Sequence, residues 1–264
     1  HSEPLRAGPG LVFSHLIPES SYFKGRGGRA FPLWRDPEAT TPNLTPGFLD
    51  KWSETLGVAV SPTDWLEYLA GITGYPSFQE HFASDLVTPG IRVPLTADPD
   101  LYQRARRFGR VALAANTRRQ RGDTSDRDDL VEPSARLAAP LLIDPISTDP
   151  DDMPTGFNYQ ESDQTLIIGT GRIAPVHQGV MDFTTSGMNV FRKWFNYRKQ
   201  NPSGRTKEGL SGINATAWYD EWTDDLVAML ADLTLLVELT PAHKELLEQL
   251  VDRPLLTAAE LPTR

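Results

Sequence analysis

Cysteine is missing from all 264 residues, which rules out a disulfide framework, a thiolate nucleophile and a cysteine-ligated zinc, and fits a reducing cytoplasm. Histidine is scarce: His1, His15, His81, His177 and His243 never stand three or four residues apart, so no His-x-x-x-His metal site is legible. No run approaches about 18 consecutive apolar residues, and the amino terminus has no charged, apolar, small-residue progression. We therefore expect neither a membrane span nor a signal peptide in a soluble chain. Catalytic signatures are equally thin. A G-x-S-x-G elbow and a G-x-x-x-x-G-K-[ST] phosphate loop are both lacking, and Gly169-Thr170-Gly171 has neither the third glycine nor the following helix of a dinucleotide fingerprint. The acid pairs Asp151-Asp152 and Asp224-Asp225 read as solvated surface. The expectation is no catalytic residue, no metal and no cofactor in this chain.

What the chain does have is enough apolar material, 39% hydrophobic and 9% aromatic, to close one large domain or two small ones. Its net charge of -9 argues against a generally basic coat for a polyanion. That average hides a sorting of signs. Asp123 to Asp163 carries eleven acids against Arg127 and Arg136, whereas Arg192 to Lys207 carries six cations and no acid. Arg92 to Arg121 adds eight Arg against Asp98 and Asp100. Like charges sorted into blocks give a polarised field that can steer a polyanion.

The first 45 residues, rich in Gly, Pro and aromatics, predict short strands joined by turns, with Lys24, Arg26 and Arg29 on a glycine loop. Glycines let backbone amides approach a phosphate, but a hairpin with a basic tip fits equally. Helices begin near Thr45-Pro46. Ser61-Pro62-Thr63-Asp64 is a start signal, followed by Trp65, Leu66, Leu69 and Ile72 at helical spacing, and Tyr75-Pro76 interrupts before Phe78, Phe82 and Leu86. Asp98-Pro99 opens a helix whose buried stripe is Leu101, Ala105, Phe108, Ala112 and Ala115, leaving Arg104, Arg106, Arg107 and Arg110 largely outside it. Gly122 to Asp163 reads as an acidic connecting region with Leu137 to Ile143 as a buried strand. Strands are expected at Thr165 to Ile168, Arg172 to Val176 and Val180 to Thr184.

Ser186-Gly187 then caps a helix through FRKWFNYRKQ, residues 191 to 200. Met188, Phe191 and Phe195 take one side, and Arg192, Asn196 and Lys199 another at i, i+4, i+7. Two helices are expected to finish the chain, one with Trp218, Trp222, Leu226, Leu230, Leu233 and Val237, and one capped at Thr240-Pro241. The basic helix holds two kinds of group on one element. Arg and Asn can bond guanine and adenine edges, and Lys or Arg can neutralise phosphates. A wet basic face on an ordinary amphipathic helix fits the same residues.

Several segments in order sharpen the choice. FKGRGGRAFPLWRD, DWLEYLAGITGYPSFQEHFASDL, GIRVPLTADPDLYQRARRFGR, TSGMNVFRKWFNYRKQ and LTPAHKELLEQLV together resemble the carboxy-terminal region of single-polypeptide type I (type ISP) restriction-modification enzymes. The resemblance runs from about Phe13 to Leu261. It implies a target-recognition domain reading a DNA site, preceded in the parent by a nuclease, a helicase-like motor and an adenine N6-methyltransferase. The parent's S-adenosylmethionine, ATP and Mg would belong to those other domains. No Asn-Pro-Pro-Tyr occurs here, Asn201-Pro202 being followed by Ser203-Gly204. Where relatives carry an Asp-His pair before the glycine loop, this chain has Ser20-Ser21, which leaves the role of that loop open.

The expected fold is α+β: a helical layer (about 46 to 121) supporting a small β-rich recognition part (about 155 to 210), closed by a C-terminal helix pair. In domain terms, residues 1-121 form the glycine-rich strands and support layer, 122-154 the acidic connector, and 155-264 the recognition part. Duplex DNA is the expected partner, with the upstream methyltransferase and motor domains, in the cytoplasm and away from membranes. The expected contacts are Arg192, Lys193, Asn196, Arg198, Lys199, Arg205 and Lys207 on and after the basic helix. Lys24, Arg26, Arg29, Arg106, Arg107, Arg110 and Arg118 are further candidates for phosphate. The rival reading is a module that docks a methyltransferase or motor domain without touching DNA; a hydrolase of unrecognised type would need convergent carboxylates in a deep pocket.

Overall fold

The structure, a computed structural model, describes residues 8–9, 11–17, 30–88, 90–200 and 215–262. The chain divides into two compact units. One comprises His1–Ala135, Thr185–Gly187 and Glu238–Arg264; the other comprises Arg136–Thr184 and Met188–Val237. The α+β class expected from the sequence is what the elements show. The boundaries follow contacts and not composition, so the first cut falls after Ala135, inside the acidic stretch.

The first unit is helical. Helix α1 (Phe48–Leu56) is bracketed by Gly47 and Gly57, both left-handed with φ of 77° and 68°, a conformation that costs glycine little. Helix α2 (Pro62–Thr73) starts on the expected signal. Ser61 Oγ accepts from the Asp64 amide at 3.1 Å, and the Asp64 carboxylate accepts from the Ser61 amide at 2.8 Å, so two orphan donors are satisfied reciprocally. Tyr75-Pro76 leads into α3 (Pro76–His81). Helix α4 (Pro99–Asn116) is capped by Asp98, whose carboxylate accepts from the Asp100 and Leu101 amides. Its predicted stripe of Leu101, Ala105, Phe108, Ala112 and Ala115 is buried. A short α5 (Arg127–Leu130) follows.

Helices α2 and α4 approach so closely that side chains are excluded where they cross. A Cβ on Gly71 would lie 1.8 Å from the Ala105 carbonyl oxygen, and one on Gly109 would lie 1.7 Å from that of Glu67. Trp52 fills the space beside this crossing, edge-on to Tyr68 at 4.7 Å and Tyr102 at 5.2 Å, while its indole N–H donates to the Thr96 carbonyl at 2.9 Å.

The second unit is built on a four-stranded antiparallel sheet in the order β1 (Leu141–Asp144), β4 (Gly171–Ala174), β3 (Thr165–Ile168), β2 (Phe157–Gln160). Phe157 pairs with Ile168 and Leu166 with Ile173, which puts Leu166, Ile168 and Ile173 in the core. After the sheet come α6 (Gln178–Met181), the short strands β5 (Thr184–Thr185) and β6 (Met188–Asn189), and helix α7 (Val190–Asn196). The long helix α8 (Asp220–Val251) then carries the chain through both units.

Five expectations need correction. The described residues of the first 45 hold only an isolated bridge between Trp34 and Pro42 and no strand. Leu137 to Ile143 is not a buried strand: β1 is a sheet edge paired only with β4, and Leu141, Leu142 and Ile143 are 61%, 42% and 53% exposed. Val180 to Thr184 is not one strand: Val180 and Met181 close α6, where His177 Nδ1 accepts from the Gly179 amide at 3.0 Å and caps a helical turn, and only Thr184 is in a strand, β5. Ser186-Gly187 does not cap the basic helix. Both residues have positive φ, 51° and 73°, and form the turn between β5 and β6, while Asn189 takes the capping role. Finally, the C-terminal helix pair is one helix that continues through Pro241. Proline forfeits one backbone hydrogen bond, but Leu239, Leu246, Leu247 and Leu250 are all fully buried, and packing on that scale outweighs the local break. An 18-residue window of α8 is long and apolar enough to cross a membrane by composition, yet 61% of it is buried inside the protein, as in a core helix.

Candidate nucleic-acid interface

Helix α7 is amphipathic in the manner its spacing predicts, though it ends at Asn196 and not at Gln200. Phe191 and Phe195 are buried at 0% and 1% exposure, while Arg192, Lys193 and Asn196 are exposed. The Asn189 side chain accepts from the Arg192 amide at 2.8 Å and starts the helix. Past Asn196 the helix gives way to a turn in which the Arg198 and Lys199 amides both donate to the Phe195 carbonyl, and the Gln200 amide donates to Pro154 at 2.8 Å.

Beneath the helix lies an aromatic bed that sequence spacing could not show. Phe157 of β2 meets Phe191 edge-on at 4.8 Å and Phe195 at 5.4 Å. The Arg192 guanidinium stands 5.2 Å over the Phe157 ring, and the Lys193 ammonium stands 4.7 Å over Tyr197, itself 74% exposed. Such contacts are worth about 0.5–1 kcal/mol at exposed sites, enough to bias a side chain without immobilising it. Among the described residues no carboxylate pairs with Arg192 or Lys193.

Arg198 is placed differently. Its guanidinium stacks 4.0 Å over Trp194, donates to the Trp194 carbonyl at 3.1 Å and lies 3.7 Å from Asp225. Asp225 also accepts from the Trp194 indole at 3.1 Å. Arg198 therefore joins α7 to the start of α8, and Lys199 is half-buried in the turn beyond α7. Arg205 and Lys207, like Lys24, Arg26 and Arg29, lie outside the described residues.

The Arg-rich helix α4 proves to be largely neutralised. Arg106 binds Asp64 and Glu67, with Nε 2.9 Å from the Glu67 carboxylate. Arg110 takes Asp126 in a forked pair at 2.6 and 2.9 Å and reaches Glu67 at 3.2 Å. The Asp126 hydrogen bond, with the nearby Glu67, holds the Arg110 guanidinium's pKa above its ordinary value. Arg107 is nearer solvent, 3.8 Å from Asp129, in a loose surface pair. Arg118 sits in the left-handed turn after α4, with φ 53°, and has contacts of its own. The expected row of phosphate-binding arginines is thus mostly an ion cluster that ties α4 to α2 and to the acidic stretch. Of the acids that follow in sequence, Asp126 and Asp129 are its counter-charges.

Among the described residues no group of His, Asp or Glu is arranged to hold a metal ion. The arrangement defines an α+β domain whose second unit presents a short cationic helix face on an aromatic bed. The chain belongs to the type ISP C-terminal specificity domain family, whose model matches residues 1–229. It is similar to a cryo-EM structure of a DrdV–DNA complex, with TM-score 0.58 and 14% identity over 92% of this chain and 24% of that one. It also resembles the ATP-dependent type ISP restriction-modification enzyme LlaBIII bound to DNA, with TM-score 0.49, 14% identity, and 96% and 15% coverage. A third likeness is to a nuclease-deletion mutant of the type ISP enzyme LlaGI in complex with a DNA substrate mimic, with TM-score 0.47, 15% identity, and 96% and 20% coverage. This chain spans a quarter or less of the length of each. No curated protein matches the sequence.

Proposed function

We propose that this chain binds duplex DNA and supplies the target recognition of a restriction-modification enzyme, with the exposed face of α7 as its principal contact. The observation that carries the proposal is the state of the cations. Arg192, Lys193 and Asn196 are exposed on one short helix, whereas the arginines facing α2 are already matched with acids. Membership of a specificity-domain family supports it. Within this reading methyl transfer, ATP-driven motion and cleavage belong to other domains of the parent enzyme, and this chain is their address reader. Its setting is the cytoplasm, where the DNA is.

Replacing Lys193 by Ala tests the contact. A lysine that meets a phosphate releases a counterion on binding, so its loss weakens binding to every duplex alike and reduces the slope of log affinity against log salt by about 1. Fluorescence anisotropy of a labelled duplex from 50 to 300 mM salt reads both effects, and an unchanged slope would remove α7 from the interface.

A second reading has one observation in its favour. The exposed Leu141, Leu142 and Ile143 of the β1 edge suit docking of another domain of the parent polypeptide. If docking is the whole role, the chain alone shows no duplex affinity at low salt.

A further inference from the structure

Resting on the DNA-binding reading above, we propose that Arg192 reads a guanine through the major groove and that Phe157 is the residue that positions it. Three features come together at Arg192. Its guanidinium is exposed and unpaired among the described residues, while Arg106, Arg110 and Arg198 are each bound to carboxylates. Its backbone amide is fixed by the Asn189 side chain at 2.8 Å, and its guanidinium lies 5.2 Å over the Phe157 ring. Phe157 is in turn held, because its backbone is in register with Ile168 and its ring is wedged edge-on against Phe191 and Phe195.

The chemistry follows from that double hold. A guanidinium resting on an aromatic face keeps its N–H donors in its own plane and free at the rim. Guanine offers two acceptors, O6 and N7, side by side on the major-groove edge, and a planar two-donor fork matches them. Adenine presents one donor and one acceptor there, which two parallel N–H groups cannot both satisfy. A side chain that is pre-aimed also loses less freedom on binding than one that must be ordered by the base. Lys193, a point charge over an exposed Tyr197, has no such fork and suits a phosphate.

The test is selection of bound duplexes from a random pool by the full chain and three variants, with anisotropy on the selected site and on a scrambled duplex. The wild type should enrich a motif containing an invariant guanine. Arg192→Lys, which keeps the charge, should lower preference for that guanine about tenfold or more, with the loss falling on the selected site more than on the scrambled duplex. Phe157→Leu should reproduce that loss of preference, and Phe157→Tyr, which keeps the ring, should restore it. A motif whose guanine preference survives Arg192→Lys, or a motif without guanine, overturns this inference and leaves DNA recognition standing. Equal preference in Phe157→Leu and wild type overturns the positioning role alone. No enriched motif in the wild type overturns the recognition reading and this inference with it.

Discussion

At neutral pH the imidazole of His243 is uncharged, and the reason is its surroundings. The ring is fully buried on α8 against Tyr75, stacked at 4.5 Å, and Phe108 at 5.3 Å. Burial pushes its pKa from 6.5 down to about 3, although the Gly71 carbonyl opposes that shift by accepting from Nε2 at 2.6 Å. Nδ1 then accepts from the Ser77 hydroxyl at 2.6 Å, so the neutral ring satisfies both neighbours. The unfolded chain, with a histidine near 6.5, binds a proton that the folded chain refuses. This contribution to stability is therefore complete above about pH 6.5 and is lost as the pH falls towards 3, at up to about 1.4 kcal/mol per pH unit. Urea unfolding between pH 7.5 and 5 should show that decline, and His243→Gln, which takes up no proton, should flatten it from a lower plateau. Parallel slopes in the two proteins would mean that another group governs the acid sensitivity.

Among the elements, the crossing of α2 and α4 carries the sharpest expectation. Backbone meets backbone at Gly71 and Gly109, so a methyl group cannot be absorbed by a side-chain rotation. Gly71→Ala and Gly109→Ala should each destabilise by about 3 kcal/mol, whereas Gly156→Ala, where no atom lies within 4 Å, should change stability by less than about 0.5 kcal/mol. Chemical denaturation of the three variants checks this, and a mild effect at Gly71 would mean that the helices can part. The starts of these helices were legible because Ser61 and Asp98 act on amides two or three residues away. The two faces of α7 were legible for the same local reason. What depends on distant partners was not. Glu67 lies 39 residues before Arg106 and 43 before Arg110, so the charge of α4 read as an open basic surface. Phe157, the support of Arg192, sits on a strand whose contact with α7 no periodicity encodes. Ser186-Gly187 and Thr240-Pro241 misled for another reason: each dipeptide suits two local structures, and packing decides between them.

For the whole molecule the question is how many cations remain to meet DNA on a chain of net charge -9. Block counting suggested a broad basic surface, but the ion cluster of Arg106 and Arg110 with Asp64, Glu67 and Asp126 removes the middle of α4 from that surface. Breaking such a cluster to reach a phosphate would strand carboxylates that are only 13–20% exposed, and the loss would exceed the gain from one phosphate contact. Under the proposed DNA binding, three to five contacts, from the α7 region and the cations that follow it in sequence, would set the electrostatic part of binding. With about 0.9 counterion released per neutralised phosphate, the slope of log affinity against log salt should be roughly -3 to -5. Titrations from 50 to 300 mM salt measure it directly. A slope of about -8 or steeper would call for cations beyond the α7 region; if those were the arginines of α4, Arg110→Gln would flatten it, whereas in a closed cluster the same substitution lowers stability and leaves the slope as it was.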